Sequence, residues 1–138
     1  MQNEPAPAAA AAARAPRVLV VDDEKDGADS LAQLLGMLGF DPIVAYDGEA
    51  GVAAALEHKP AVVILDLHIP NMGGVLACTR IRQAAGTEGM KVVALTGSNQ
   101  ASDRAAAELA GFDHFLIKPV MIAALLQVLP RGAAASAS

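Results

Sequence analysis

The chain has 138 residues, a formal net charge of −5 and a hydrophobic fraction of 54% that alanine inflates. This length accommodates one domain with a hydrophobic core and is too short for two. No apolar stretch approaches the roughly 20 residues that span a bilayer, and no cluster of Lys or Arg resembles a nucleic-acid footprint. We therefore expect a cytoplasmic protein that contacts neither a membrane nor DNA directly. The single cysteine, Cys78, excludes an internal disulfide and is expected to be a buried thiol on a helix.

The two ends of the chain differ in composition from its centre. Residues 1–15 are rich in Ala and Pro, and they lack the basic and strongly apolar regions of a signal peptide. We expect a disordered leader there, a single domain over 16–130, and a disordered Gly/Ala/Ser tail over 131–138.

Short apolar runs alternate with helical patterns along the domain, which predicts βα repeats around a parallel sheet. The expected strands span about 17–21, 42–45, 61–65, 91–95 and 113–117. The expected helices span about 26–38, 48–57, 75–84, 100–110 and 120–129, with an N-cap region for the fourth at 97–99. Gly39 and Gly111 stand where glycine commonly ends a helix.

The first, third and fourth strands are almost continuously apolar, which indicates a sheet covered by helices on both faces. Right-handed crossovers then predict an α/β fold of the doubly wound, flavodoxin-like type, a (βα)5 domain with five parallel strands in the order 2-1-3-4-5. In this order the first and third strands are neighbours. Asp22, Asp23 and Asp66 would therefore meet in one crevice, although they are far apart in the sequence.

Polar residues follow four of the predicted strands, at the edge where open α/β sheets build their sites. Asp22 and Asp23 follow the first strand, Asp66 the third, Thr96 the fourth and Lys118 the fifth. Clustered carboxylates repel one another unless a cation intervenes, and Mg²⁺ prefers such oxygen ligands. An aspartate can be a nucleophile for phosphoryl transfer, with a hydroxyl and an amine as fixed donors. The set predicts a metal-assisted phosphoryl site.

Each of these residues also has a structural explanation when it is taken alone. Asp66 could form a turn or cap a helix, and the pair Asp22-Asp23 could cap the first helix. Thr96 could be a turn hydroxyl and Lys118 a solvated surface amine. Their occurrence together at matching strand ends favours a functional site.

With their flanking residues, these motifs resemble the receiver domain of response regulators, the phosphorylation target of two-component histidine kinases. The resemblance covers about 17–129. The matching stretches are Val18–Glu24, Val63–Leu67, Pro70–Gly74, Ala94–Thr96 and Lys118-Pro119. It implies that Asp66 is the phosphoacceptor, and that Asp22, Asp23, Asp66 and the backbone carbonyl of His68 hold Mg²⁺, with Mn²⁺ as a substitute ion.

The resemblance also implies roles for the fifth strand and for the partners. Thr96 and Lys118 would bind phosphoryl oxygens, Phe115 would be the aromatic switch residue, and the bond before Pro119 would be cis. The phosphodonor would be a phosphohistidine on a histidine kinase or a histidine phosphotransfer domain. The chain would be no enzyme beyond catalysing its own phosphorylation and slow autodephosphorylation, and it would switch a protein-interaction surface.

Several positions depart from the family pattern or leave alternatives open. Ile69 and Gly73 replace the Met and Asp that relatives commonly carry, outside the chemistry. His68 is either a surface imidazole or a modulator of the lifetime of phospho-Asp66. Phe115 is either ordinary strand packing or a switch whose inward state is favoured, because Phe has no hydroxyl to bond outside. His58 and His114 lack metal-ligand spacing and are expected at the surface.

Two other functions compete with a phosphorylated receiver. A phosphohydrolase of the haloacid-dehalogenase type also uses an aspartyl nucleophile, but it needs a second Asp two residues on, where this chain has His68. A degenerate receiver that only binds a partner is disfavoured by the complete set of Asp, Thr and Lys. The chain could be a stand-alone regulator or the receiver of a hybrid kinase, and its kinase and downstream target are not encoded in any motif.

Overall fold

The computed structural model describes residues 15–97 and 101–130, except for the side chains of 101–103. The leader over 1–14, the tail over 131–138 and the N-cap residues 98–99 lie outside the described residues. Strands and helices alternate along the described chain. The elements are β1 (Arg17–Val21), α1 (Lys25–Met37), β2 (Asp41–Ala45), α2 (Gly48–His58), β3 (Val62–Asp66), α3 (Gly74–Gln83), β4 (Lys91–Thr96), α4 (Ala101–Ala110), β5 (His114–Ile117) and α5 (Ile122–Val128).

The five strands form one parallel sheet in the order β2-β1-β3-β4-β5, which confirms the predicted topology. The chain moves outward on one side of β1 to reach β2, and on the other side to reach β3, so the crevice between β1 and β3 is the switch point of the sheet. Val21 lies opposite Leu65 in the register of these two strands. The residues that follow, Asp22 and Asp66, therefore lie side by side at the carboxyl edge of the sheet.

Alternate residues of the strands point into two separate cores, because successive side chains of a strand face opposite ways. One core joins Leu19, Val63 and Val92 to α2, α3 and α4. The other joins Val20 and Ile64 to α1 and α5. All of these strand residues are fully buried. None of the helices in the described ranges is long and apolar enough to cross a membrane.

The boundaries of the strands and helices differ from the expected ones by one or two residues. The informative differences lie at the carboxyl ends of β3 and β4. Asp66 and Thr96 were expected just after their strands, and each is instead the last residue of its strand. Asp66 pairs with Leu95 and Thr96 pairs with Ile117. A polar side chain does not stop the backbone ladder, so the sheet carries these two side chains on its own rigid frame.

Cys78 is a buried residue of α3, as predicted. Its Sγ donates a hydrogen bond to the carbonyl of Ala110, at 3.4 Å, and it packs in the core between the sheet and α4. Burial raises the pKa of this thiol to about 11. The thiolate is the reactive form of cysteine, so Cys78 is chemically quiet at neutral pH.

Arg82, near the end of α3, joins three segments at the sheet edge opposite the strand-end carboxylates. Its Nε donates to the carbonyl of Gly111 at 3.0 Å, and its Nη1 donates to the carbonyls of Thr87 and Met90 at 3.2 and 2.7 Å. Its Nη2 pairs with the carboxylate of Asp113. This guanidinium holds the segments before β4 and β5 against α3.

We expect Arg82→Met to lower the free energy of unfolding by about 2–3 kcal/mol, because hydrogen bonds to charged groups are worth about 1.5–3 kcal/mol each and are not additive. The substitution also leaves the Asp113 carboxylate with only the backbone amide of Val92 as a donor among these contacts. Urea denaturation measures the change. Arg80→Met, at an exposed position of the same helix, is the matched control and should change stability by less than about 0.5 kcal/mol. Equal effects of the two substitutions would contradict the role of Arg82.

Candidate functional site

Asp22 and Asp66 carry the same local hydrogen bond at the ends of two neighbouring strands. Asp66 Oδ1 accepts the backbone N–H of His68 at 2.9 Å, and Asp22 Oδ1 accepts that of Glu24 at 3.0 Å. An aspartate commonly binds the amide two residues on, which forms an Asx turn. The turn fixes each carboxylate and leaves its Oδ2 for other partners.

Lys118 is the shared partner of these two oxygens. Its Nζ lies 2.8 Å from Asp66 Oδ2 and 3.2 Å from Asp22 Oδ2. The two carboxylates are only 7% and 4% exposed, whereas the lysine side chain is 34% exposed. The ammonium therefore reaches from the rim into a largely desolvated pair of acids, where it offsets part of their mutual repulsion.

Asp23 completes a cluster of three carboxylates with Asp22 and Asp66, and it is exposed at the rim. One carboxylate oxygen of each residue lies within 4.8 Å of the others. Hard oxygen donors at this spacing, partly open to water, suit a small divalent cation that keeps several of its waters. The donor set therefore fits Mg²⁺, and a single lysine leaves a net negative charge for such an ion to neutralise.

The pKa values of Asp22 and Lys118 reflect this crowding. Burial raises the pKa of Asp22 above its ordinary value of 3.8, and the charge of Asp66 raises it further, against the lowering by the Glu24 amide and by Lys118. Burial alone would lower the pKa of Lys118. The hydrogen bonds and charges of Asp66 and Asp22 raise it by more, so its pKa is above its ordinary value and the ammonium stays charged at neutral pH.

Thr96 and the backbone of Lys118 close the other side of the site. Thr96 is fully buried at the carboxyl end of β4, one residue after Leu95, the partner of Asp66 in the sheet. The backbone N–H of Lys118 donates to the carbonyl of Thr96 at 2.7 Å. The Lys118-Pro119 bond is cis, as the resemblance implied. The sheet thus brings the hydroxyl residue and the lysine to the same edge as the acids.

Phe115 and His68 occupy the rim. Phe115 is half-buried in β5, three residues before Lys118, and the guanidinium of Arg104 lies 4.8 Å from the centre of its ring. The ring packs against the core that joins the sheet to α2, α3 and α4. The side chain of His68 is exposed, between the buried residues Leu67 and Ile69. His114 is exposed and His58 is partly exposed, at the opposite edge of the domain.

Sequence reasoning missed some of the contacts that shape the site. The idea that Asp22 and Asp23 cap the first helix is wrong, because Glu24 is the N-cap residue of α1 and makes no side-chain cap. The amide of His68 on Asp66 was also missed. A preference for Asx turns at strand ends would have found it. The contact between Arg104 and Phe115 left no signal in the sequence.

Comparisons with known proteins give matches to one family. The family model for the response regulator receiver domain matches residues 18–130. The transcriptional regulatory protein PrrA of Mycobacterium tuberculosis is 37% identical over 111 residues, which cover 80% of this chain and 47% of PrrA. The virulence sensor protein BvgS of Bordetella pertussis is 38% identical over 144 residues, which cover 96% of this chain and 12% of BvgS. This chain spans about half the length of the first curated relatives that it matches.

Solved structures give the same fold. A CheY-like receiver domain protein from Methanospirillum hungatei is 26% identical with a TM-score of 0.76, and the match covers 82% of this chain and 89% of that one. The chemotaxis protein CheY4 of Vibrio cholerae is 24% identical with a TM-score of 0.78, over 83% of this chain and 99% of CheY4. The second match supports the fold alone.

We expect Asp22→Asn to raise the free energy of unfolding of the metal-free protein at pH 7 by about 0.5–2 kcal/mol, the usual gain from relieving an unfavourable charge. Because the folded-state pKa of Asp22 is raised, folding favours its protonated form, and Asn imitates that form. Thermal unfolding with a chelator present measures the change.

The gain should shrink as the pH falls towards 3.8, the ordinary pKa, where the wild-type carboxyl is also protonated. Asp26→Asn is the control. This exposed acid lies in the first turn of α1, where its charge stabilises the helix, so its removal should cost stability slightly. A lower midpoint for Asp22→Asn than for the wild type would contradict this account.

Proposed function

We propose that Asp66 is the phosphoacceptor of this chain, which belongs to the response regulator receiver domain family. Proteins of this family are signalling modules that accept phosphoryl groups in two-component systems, and this chain is such a receiver domain. The assignment rests on the observation that both carboxylate oxygens of Asp66 accept hydrogen bonds. The His68 amide lies on Oδ1 and the Lys118 ammonium on Oδ2, at the switch point of the sheet.

The transfer step follows from this geometry. An oxygen of Asp66 attacks the phosphorus of a phosphohistidine, a P–O bond forms, and the P–N bond of the donor breaks with its electron pair leaving on the imidazole nitrogen. The leaving nitrogen takes a proton from the surrounding water as it departs. Lys118 then exchanges its bond to Asp66 for the phosphoryl oxygens, and the Thr96 hydroxyl donates to another of them.

We assign the metal to Asp22, Asp23, Asp66 and the backbone carbonyl of His68. Bound Mg²⁺, or Mn²⁺ in its place, would supply charge neutralisation for the incoming phosphoryl oxygens. The chain's own contribution is to hold the acids in place, by the Asx turns at Asp22 and Asp66. The spacing of the three carboxylates supports this set.

The response to phosphorylation would pass through β5. A phosphoryl group adds about two negative charges, and Lys118 and Thr96 are the donors placed to follow it. Phe115, the switch residue of this proposal, lies in β5, the strand that leads to Lys118. Its environment would change as β4 and β5 adjust, which biases an equilibrium that already exists. β5, α5 and the residue before α5 expose four apolar side chains, those of Ile117, Met121, Ile122 and Leu126, and this β5–α5 surface is suited to a protein partner.

The partners follow from the family and from the site. The phosphodonor would be a histidine kinase or a histidine phosphotransfer domain. The chain would turn over no substrate beyond its own phosphorylation and slow autodephosphorylation. Some relatives are named as transcriptional regulators, and for this chain the lack of direct nucleic-acid contact stays a prediction. The apolar β5–α5 surface supports a protein as the downstream target.

Acetyl phosphate and Mg²⁺ test the phosphoacceptor directly. We expect intact mass spectrometry to show one phosphoryl adduct on the wild type and none on Asp66→Asn, because the amide cannot act as the nucleophile. Asp41→Asn, an exposed acid at the amino end of β2, is the matched control and should be phosphorylated like the wild type. An adduct that persists in Asp66→Asn, or its absence from the wild type, would refute the assignment.

His68 is expected to shorten the life of the aspartyl phosphate. Its imidazole is exposed and belongs to the second residue after Asp66. In the role proposed here it would accept a proton from the water that attacks the phosphoryl group. His68→Ala should therefore lengthen the half-life of the phosphorylated protein several-fold, while its backbone amide still binds Asp66. Loss of the adduct over time gives the rate, and His114→Ala, at the opposite sheet edge, is the control. An unchanged half-life would reject this role.

A further inference from the structure

The loop between β3 and α3, residues 67–73, delivers the His68 amide to the candidate phosphoacceptor. Leu67 and Ile69 are buried at 7% and 4% exposure and anchor the loop on either side of His68. The far end of the loop folds back on its start, because the N–H of Gly74 donates to the carbonyl of Leu67 at 2.9 Å. The position of His68 therefore depends on what fixes this closed loop.

Gly74 restricts the position of the loop, because it packs against the backbone of Asp66 and Leu67. A Cβ on this residue would clash with the carbonyl oxygen of Asp66, and it would lie 2.7 Å from the Cα of Leu67. Both obstacles are backbone atoms, which cannot rotate away as a flexible side chain can. The loop thus rests on the last residue of β3 with no room for a side chain between them.

Gly48, in α2, also restricts the position of the loop, because it packs against Met72. Gly48 is the buried first residue of α2, and a Cβ on it would lie 2.9 Å from Met72 Cβ and 3.0 Å from Met72 Sδ. Met72 is half-buried and contacts the core from the loop. Because its Cβ is attached directly to the backbone, a methyl group at position 48 would displace the loop as well as the methionine side chain.

We propose that the contact between Gly48 and Met72 is a positioning contact for the phosphoryl site. It holds the loop so that the His68 amide reaches Asp66, and it would also hold the His68 carbonyl that the proposed function assigns to the metal. The amino end of α2 thereby acts on Asp66 through the loop. The effect of this contact on a phosphoryl site rests on the proposed function. The contact itself rests on the packing of Gly48, Met72 and Gly74.

Gly48→Ala is the decisive variant, and Gly89→Ala is its control, because a Cβ on Gly89 meets nothing within 4 Å. The first measurement is the amide proton shift of His68 in the metal-free protein, which reports its charge-assisted bond to Asp66. We expect an upfield shift in Gly48→Ala and no shift in Gly89→Ala. The second is the Mg²⁺ dissociation constant, which should rise by about 10-fold, as with other supports of metal ligands.

A double-mutant cycle with Met72→Gly separates positioning from general loss of stability. Removing the Met72 side chain removes the obstacle, so Gly48→Ala should change neither the His68 shift nor the Mg²⁺ affinity in that background. A purely structural role for Gly48 would lower the melting temperature of Gly48→Ala and leave both site measurements at wild-type values. That result, or an effect of Gly48→Ala that persists without Met72, overturns the proposal.

The test also distinguishes this proposal from the assignment of Asp66. The His68 shift is measured without metal or phosphodonor, so it reports the loop whether or not Asp66 is phosphorylated. If the shift responds while acetyl phosphate fails to modify the wild type, the positioning contact stands and the proposed function fails. If the wild type is phosphorylated and the shift does not respond, the reverse holds.

Discussion

The ammonium of Lys118 between Asp22 and Asp66 is the interaction on which the site depends. Its Nζ reaches both Oδ2 atoms, at 3.2 and 2.8 Å, and so joins three strands at one edge of the sheet. Without a cation, two buried carboxylates at the ends of adjacent strands would repel each other strongly. The ion pairs make the acidic edge compatible with a folded domain, and they remain exchangeable because the lysine enters from the rim.

This arrangement costs stability that the cores on the two sheet faces supply. Burial raises the pKa of Asp22, which means that folding disfavours the charged form that pairs with Lys118. The strand residues just before the acids, Val21 and Leu65, are fully buried. Functional sites commonly combine such local electrostatic strain with rigid surroundings. Here the rigidity comes from parallel strands whose register places Asp22 beside Asp66.

Sequence patterns predicted what depends on periodicity and on residue type. The five strands, their order and the meeting of Asp22 with Asp66 followed from apolar runs and the rules of parallel sheets. The end of β3 differed by one residue because backbone pairing continues through Asp66. The Arg82 contacts and the seat of Met72 on Gly48 could not be predicted, because they join segments distant in sequence through side-chain packing that leaves no periodic signal.

The backbone and the side chain of Lys118 bind different partners. This difference determines which parts of the structure would move if Asp66 gained a phosphoryl group. The backbone N–H stays bound to Thr96 across β4 and β5, whereas the ammonium spans β1 and β3. A phosphoryl group would draw the ammonium away from the carboxylates while the backbone bond holds the strand ends together. The change would therefore fall on side chains along β5, where Phe115 lies beneath Arg104, more than on the pairing of the sheet. The loop over residues 67–73 is another neighbour of Asp66, and it contacts the amino end of α2 through Met72. A change at this carboxylate would therefore reach the amino end of α2 as well as β5.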